Sequence, residues 1–246
     1  AVVLFLLLRP VFNGDVILNQ FFHIGPLRMQ FYGLIMAAAV AAGYWVFYKR
    51  ATVAGESSDV IESLAISLIV SGFIGARLYH VLSDISFYST NPLNVLYVWN
   101  GGLGVFGAII GGLIGLMIFA RRRGWGWEKL LTILDWLAPS VLVGQIIGRF
   151  GNLVNYELFG PSTSLPWKMY VPIQFRPAMF ARFSYFHPLF LYEVLINVLI
   201  LVVLYFMGRH MGWKWIKTGS LFVTYIFLYT MERLFIESLR IDSPLL

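Results

Sequence analysis

Six apolar stretches, each about as long as a helix that crosses a bilayer, leave this chain one kind of fold. They run from Phe31 to Tyr48, Val60 to Val81, Leu103 to Ala120, Leu131 to Ile147, Pro188 to Met207 and Gly219 to Ile236. A hydrocarbon core of about 30 Å takes roughly 20 helical residues. In lipid every backbone N–H and C=O must be satisfied inside the element, so only helices or closed barrels span. The alternating apolar and polar strands of a barrel are absent, which predicts an all-α integral membrane protein, a polytopic helical bundle with six visible spans. Composition agrees, because 12% of the residues are charged and 59% hydrophobic, whereas a soluble domain carries about 25% charged residues. Disorder is excluded by the same figures, and a disulfide scaffold by the absence of cysteine. The segment from Ala1 to Leu8 is too short to span and is given no structural weight.

The net charge of +6 has a topological explanation rather than a nucleic-acid one. Lys49 and Arg50 follow the first span, Arg121, Arg122, Arg123 and Lys129 the third, and Arg209, Lys214 and Lys217 the fifth. The loop from Ser83 to Trp99 has no Lys or Arg. The positive-inside rule then makes the basic loops cytoplasmic and places the N-terminus, the Ser83 to Trp99 loop and the long Arg149 to His187 segment outside. Tyr88, Tyr97, Trp99, Trp125, Trp127, Trp213 and Trp215 fall at the expected interfaces. Between Gly151 and Phe186, Pro161, Pro166, Pro172 and Pro177 rule out a continuous helix and predict an ordered, irregular arm or cap on the outer face. Four regions follow: 1–30, an N-terminal outer-face segment; 31–150, spans one to four; 151–187, the arm; and 188–246, spans five and six.

Ionisable groups in a membrane are costly unless paired or hydrated, so their depth is informative. In this orientation Arg77, Arg149, Glu193, Arg233, Glu237 and Arg240 all approach the outer ends of their spans, and Tyr32 opens span one on the same side. A single one of them reads as a snorkelling side chain; the set favours one leaflet, which independent snorkelling does not explain. Arg233, Glu237 and Arg240 are four and three apart, so one helical face carries a carboxylate between two guanidinium groups. Arg149 and Asn152 share a face if their helix continues that far. Fixed guanidinium groups in a low-dielectric cleft form a fork-shaped receptor for phosphate, and the competing reading is an Arg/Glu bridge that only locks helices together.

The remaining signals are mostly structural. Gly107, Gly111 and Gly115 recur every four residues, as do Gly144 and Gly148, a pattern for close helix packing in lipid. Gly101 and Gly102 precede span three, where backbone N–H groups suit an anion. Asp135 and Pro139 mark a kink with a satisfied carboxyl. His23, His80, His187 and His210 show no metal-ligand spacing, and no nucleotide-binding or nucleophile-elbow motif occurs, so neither a metal nor a cofactor is expected. With no cysteine, any thiol chemistry takes its thiol from the substrate.

The stretch Gly148-Arg149-Phe150-Gly151-Asn152-Leu153-Val154-Asn155-Tyr156-Glu157-Leu158-Phe159-Gly160 resembles the signature G-R-x-G-N-x-x-N-x-E-x-x-G of bacterial prolipoprotein diacylglyceryl transferases. Other landmarks occur in that family's order: Ile24-Gly25-Pro26 with Phe31-Tyr32-Gly33, Gly75-Ala76-Arg77-Leu78-Tyr79, Gly101-Gly102-Leu103, His187-Pro188 with Leu191-Tyr192-Glu193, and Glu232-Arg233 through Glu237 to Arg240-Ile241-Asp242. The resemblance covers roughly residues 20 to 243. It implies transfer of the diacylglyceryl group of phosphatidylglycerol to the lipobox cysteine thiol of a prolipoprotein, with release of glycerol 1-phosphate, at the outer leaflet of the bacterial inner membrane. Arg149 and Arg233 match the family's essential arginines, Tyr32, Asn152 and Gly160 its other essential positions, and Glu157 and Glu237 its important acidic ones. The expected catalytic set is Arg149, Arg233, Glu237, Tyr32, Asn152 and Glu157. Arg149, Gly160, Asn155, Arg77, Gly101, Gly102, His187, Glu193 and Arg240 are expected to bind substrate.

Two departures stand out. Many relatives have a histidine where this chain has Phe106, which leaves Glu157, His187 or an arginine-held water as the base. The family also ends in one more span, so a seventh is expected beyond Leu246. The alternative function is a transporter or flippase for an anionic lipid or metabolite, which calls for polar or broken helices near the midplane and a second gate; Asp135 and Pro139 are the inner half's candidates. A structural scaffold leaves the clustered charges unexplained.

Overall fold

The computed structural model describes residues 2–25, 27–98, 101–210 and 216–241. Pro26, Trp99, Trp213, Lys214, Trp215 and Asp242, which figured in the sequence reading, lie outside the described residues. Six long helices carry the fold: α2 (Phe31–Val53), α3 (Ser58–Ser83), α5 (Val105–Arg122), α6 (Trp127–Asn155), α7 (Leu189–Arg209) and α8 (Ser220–Leu239). The first five are long and apolar enough to cross a membrane. The sixth has the length but carries Glu232, Arg233 and Glu237. Shorter elements join them: α1 (Val2–Asn13), a β1 (Phe21–Ile24) and β2 (Leu27–Gln30) hairpin, α4 (Ile85–Thr90), and a two-residue pairing of β3 (Met169–Tyr170) with β4 (Tyr185–Phe186). Large apolar side chains such as Val40, Ile69, Phe73, Ile110 and Leu199 are exposed on the helices, as expected where lipid is the solvent. The chain divides into two compact units, Tyr48–Ile133 and Ala1–Phe47 with Leu134–Leu246.

In the first of these units α3 and α5 touch backbone to backbone. A Cβ on Gly75 would collide with the Gly107 carbonyl oxygen and lie 2.8 Å from the Gly111 Cα. One on Gly111 would strike the Ser71 carbonyl oxygen. The four-residue glycine spacing is therefore a packing device, as the sequence reading held. Helix α5 stops where Gly124 takes φ +66° and the Trp125 N–H returns to the Ala120 carbonyl at 2.9 Å, a left-handed ending that suits glycine. Lys129 pairs with Glu56.

In the other unit α2 lies against α6 at Gly43 and Gly144: an added Cβ would come 2.9 Å from the Ser140 carbonyl oxygen and 3.3 Å from that of Ala39. Ala138 and Leu142 of α6, Ile200 and Leu204 of α7, and Leu221 and Tyr225 of α8 form one buried cluster. The start of α8 is capped from α6. The Asp135 carboxylate accepts the Gly219 N–H at 2.6 Å and the Phe222 N–H at 2.9 Å, satisfying donors that a helix N-terminus leaves open. That is the satisfied carboxyl expected from the sequence.

Three features depart from the sequence reading. Residues 2–8, given no structural weight, open α1, which packs Leu8 and, beyond that segment, Val11 and Phe12 into a cluster with Leu153, Met169, Phe186 and Phe190. Helix α6 continues eight residues beyond Ile147 to Asn155, so the first eight residues of the signature are helical. The Ser83 to Trp99 loop contains α4 and a 3-10 turn over Pro92–Leu96.

Gly75→Val should cost about 1–3 kcal/mol by overpacking, lowering the melting temperature in detergent micelles by several degrees. Gly112→Ala, with nothing within 4 Å of its Cβ, should leave it unchanged.

Candidate functional site

The signature begins as helix and ends as a tight turn. After Asn155 the chain reverses through two non-glycine residues in the left-handed region, Tyr156 at φ 55° and Leu158 at φ 59°. Such conformations persist only where the surroundings enforce them. Tyr156 stacks on Phe175 with ring centroids 5.1 Å apart, and its hydroxyl accepts the Leu18 N–H at 2.7 Å. Burial pushes the Tyr156 phenol above its ordinary pKa, against the lowering effect of that bond, so it remains protonated. The Leu158 carbonyl accepts the Phe190 N–H at 3.0 Å.

This turn folds Glu157 back over the helix end, where its carboxylate accepts the side-chain amides of Asn152 and Asn155, each at 3.3 Å. Arg149 Nη1 donates to Asn152 Oδ1 at 3.4 Å, so the face-sharing expected of these two residues is present. Tyr32 of α2 lies over the same turn: a Cβ on Gly151 would sit 2.7 Å from its ring. Gly151 is thus the space that the Tyr32 ring occupies.

The centre of the arrangement is Glu193 on α7, which has no exposed surface. One carboxylate oxygen pairs with Arg149 Nε on α6, and the other accepts Arg233 Nη1 of α8 at 2.8 Å. Arg233 Nη2 in turn donates to Glu237 Oε2 at 2.8 Å, and Glu237 Oε1 lies 3.8 Å from Arg240 Nη1. Three guanidinium groups and two carboxylates thus form a chain with one positive charge in excess. Side-chain exposure is 0% at Glu193 and greatest, 45%, at Glu237. Each guanidinium carries five N–H donors, so both Arg149 and Arg233 keep donors beyond those their carboxylates engage. The pair can grip an anionic oxygen without giving up the bonds that aim it.

Gly160 is a point of close approach. Its N–H donates to the His187 carbonyl at 2.9 Å, and a Cβ would lie 3.2 Å from His187 Cβ, Leu189 Cδ2 and the Leu239 carbonyl oxygen. His187 Nδ1 is 2.8 Å from the Tyr192 hydroxyl, which accepts the Trp167 indole N–H at 2.8 Å. In the Tyr48–Ile133 unit, Arg77 is 7% exposed. It donates to the carbonyls of Val95 at 2.8 Å, Gly101 at 2.9 Å and Gly102 at 2.9 Å, and to that of Asn94. It thereby holds the loop of left-handed Gly101 and Gly102 beside a 200 Å³ cavity that His80 and Tyr88 also line. Phe106 is exposed and rests against Tyr79.

Two buried polar residues, Asn197 and Glu232, and the half-buried Gln145 were not picked out as site residues from the sequence. The signal was there in part, since Gln145 precedes Arg149 by four residues and Asn197 follows Glu193 by four, each on the same helical face.

Fold and site together define a multi-pass helical membrane protein with a buried carboxylate that holds two arginines from neighbouring helices. The family model described as prolipoprotein diacylglyceryl transferase matches residues 19–246. Relatives named phosphatidylglycerol–prolipoprotein diacylglyceryl transferase are 40% identical in Trichormus variabilis, over 91% of this chain and 79% of the relative, and 40% identical in Synechocystis, over 92% and 79%. In Acaryochloris marina the figure is 37%, over 92% and 81%. The chain belongs to the prolipoprotein diacylglyceryl transferase family, a family of transferases.

Glu193→Ala takes the shared carboxylate from two half-buried guanidinium groups, of which Arg233 keeps Glu237, and should cost about 3 kcal/mol, the low end for breaking a buried pair. Thermal unfolding in micelles should show a melting temperature lower by roughly 10 °C, whereas an unchanged value would mean that the ion pairs do not hold the helices.

Proposed function

We propose that this chain moves the diacylglyceryl group of phosphatidylglycerol onto the thiol of a lipobox cysteine in a prolipoprotein, releasing glycerol 1-phosphate. The observation that carries this reading is the Arg149 and Arg233 pair, tied to one buried carboxylate beside the signature turn. In the reaction a carbon–sulfur bond forms at the glyceryl carbon as its bond to the phosphate oxygen breaks. Charge then builds on the leaving phosphate, and preorganised guanidinium groups stabilise it more in the transition state than in the ground state.

Arg149 and Arg233 clamp the phosphate. Glu237 orients Arg233 from four residues away, and Arg240 adds positive charge at the more exposed end of the chain. Tyr32 and Asn152 position the glycerol, while Asn155 and Gly160 shape the turn that presents Asn152 and Glu157. Arg77 holds the loop of Gly101 and Gly102 in place through their carbonyls. Attack requires a thiolate. Glu157 is favoured over His187 as the base, because His187 Nδ1 is engaged by Tyr192. Lys and Arg in the loops after spans one, three and five support placement in the bacterial cytoplasmic membrane with this site facing the outer leaflet, capped by the 151–187 arm.

Arg149→Ala or Arg233→Ala should lower transfer by at least about 100-fold, the scale of losing one preorganised charge-stabilising donor. Lysine at either place should not restore it, since an ammonium lacks the planar fork. The assay incubates purified protein with phosphatidylglycerol and a lipobox peptide and looks for a thioether-linked diacylglyceryl mass increase. Its absence with the unaltered protein, under conditions where a relative works, would reject the reading.

A further inference from the structure

Next to the arginine pair in sequence, toward the helix midpoints, lie polar atoms that no group among the described residues satisfies. Both carboxylate oxygens of Glu232, the oxygen and nitrogen of the Asn197 amide, and the Gln145 oxygen are buried without a hydrogen-bond partner among the described residues. Glu232 is 3% exposed and Asn197 0%. Unmet groups of this kind are uncommon in folded proteins and call for a ligand or bound water.

Their positions converge. Gln145 lies one helical turn from Arg149 on α6, and its amide nitrogen donates to the Tyr225 hydroxyl at 3.1 Å. Asn197 lies one turn from Glu193 on the face of α7 that also carries Ile200 and Leu204, which pack against α6 and α8. Glu232 adjoins Arg233 in the chain and is within electrostatic reach of Arg149, Arg233, Glu193 and Tyr225. Tyr229, stacked on Tyr225 at 5.7 Å, feels the same charges.

The chemistry of these atoms narrows the ligand. Four are acceptors and one, the Asn197 nitrogen, is a donor. A second phosphate would face the Glu232 carboxylate. An ammonium would face Arg149 and Arg233 and would offer the Asn197 nitrogen no acceptor. Hydroxyl groups both donate and accept, and they suit all of the unmet atoms.

We propose that Glu232, Asn197 and Gln145 form a polyol subsite that holds the free hydroxyls of the glycerol headgroup while Arg149 and Arg233 hold its phosphate. The inference rests on the reading of the protein as a phosphatidylglycerol-dependent transferase. The subsite makes Glu232 a specificity determinant: it tells phosphoglycerol from a phosphodiester of similar charge that lacks hydroxyls.

The test compares kcat/KM for phosphatidylglycerol and for phosphatidylethanol, with one lipobox peptide, in the unaltered protein and in Glu232→Leu. The unaltered protein should prefer phosphatidylglycerol by at least about 100-fold, since a site built to bond hydroxyls rejects a ligand without them. In Glu232→Leu the preference should fall below about tenfold, through loss of the phosphatidylglycerol rate alone. Glu232→Gln, which keeps the shape and one acceptor, should fall between and serves if the leucine variant does not fold. An equal loss for both lipids overturns the subsite, as does an equal loss that varies with pH, which would make Glu232 a proton acceptor. Lack of preference in the unaltered protein also overturns it and leaves the transferase reading standing. Only failure of the unaltered protein to use phosphatidylglycerol at all would remove both.

Discussion

A carboxylate with no exposed surface, Glu193, binds guanidinium groups from two other helices, and the rest of the site is arranged around that fact. Burying three charges in a bundle within lipid is costly, and the cost is offset only when the geometry is close and the remaining donors find partners. Arg233 meets that condition through hydrogen bonds to Glu193 and Glu237, while Arg149 pairs with Glu193 and donates to Asn152. Because the partners come from α6, α7 and α8, the ion pairs also fix the register of these helices. A phosphate arriving at the pair finds donors already aimed, with little left to reorganise as charge develops.

The surrounding structure protects this arrangement. Left-handed Tyr156 and Leu158 turn the chain so that Glu157 lies over the end of α6, and the buried cluster of Phe159, Phe186 and Phe190 holds the turn from behind. Asp135 ties α8 to α6 at the opposite end of those helices through two backbone N–H groups. Both ends of α8 are therefore anchored by carboxylates, which keeps Arg233 at a fixed depth. The unmet atoms of Glu232, Asn197 and Gln145 extend the polar environment from the arginines toward the helix midpoints.

The helices and the outline of the site were legible in the sequence because their signals are local. Apolar runs gave the spans, and the four- and three-residue spacings of Arg233, Glu237 and Arg240 gave their ion pairs, since neighbours on one helical face are a matter of counting. Glycines four apart gave the α3 and α5 contact for the same reason. What escaped was long-range. The bond between Glu193 and Arg233 joins residues 40 apart, so nothing in either helix alone marks Glu193 as the hub. Arg77 looked like a charge free for substrate, yet its donors go to carbonyls 17 to 25 residues away. The role of α1 was hidden because a short apolar segment has no period long enough to show what it packs against. The reach of α6 to Asn155 was missed because no proline or glycine cluster marks its end, the first proline of the arm being Pro161.

The claim that Glu193 aims its arginines, rather than merely balancing them, is tested most directly by the affinity of the Glu193→Gln protein for phosphatidylglycerol, measured by native mass spectrometry of lipid retained in micelles. The substitution removes a negative charge beside an anionic lipid, so a role in charge balance alone would give equal or tighter retention. Aimed arginines give the opposite sign, with phosphatidylglycerol held more weakly than by the unaltered protein. Retention that is unchanged or stronger would contradict the account.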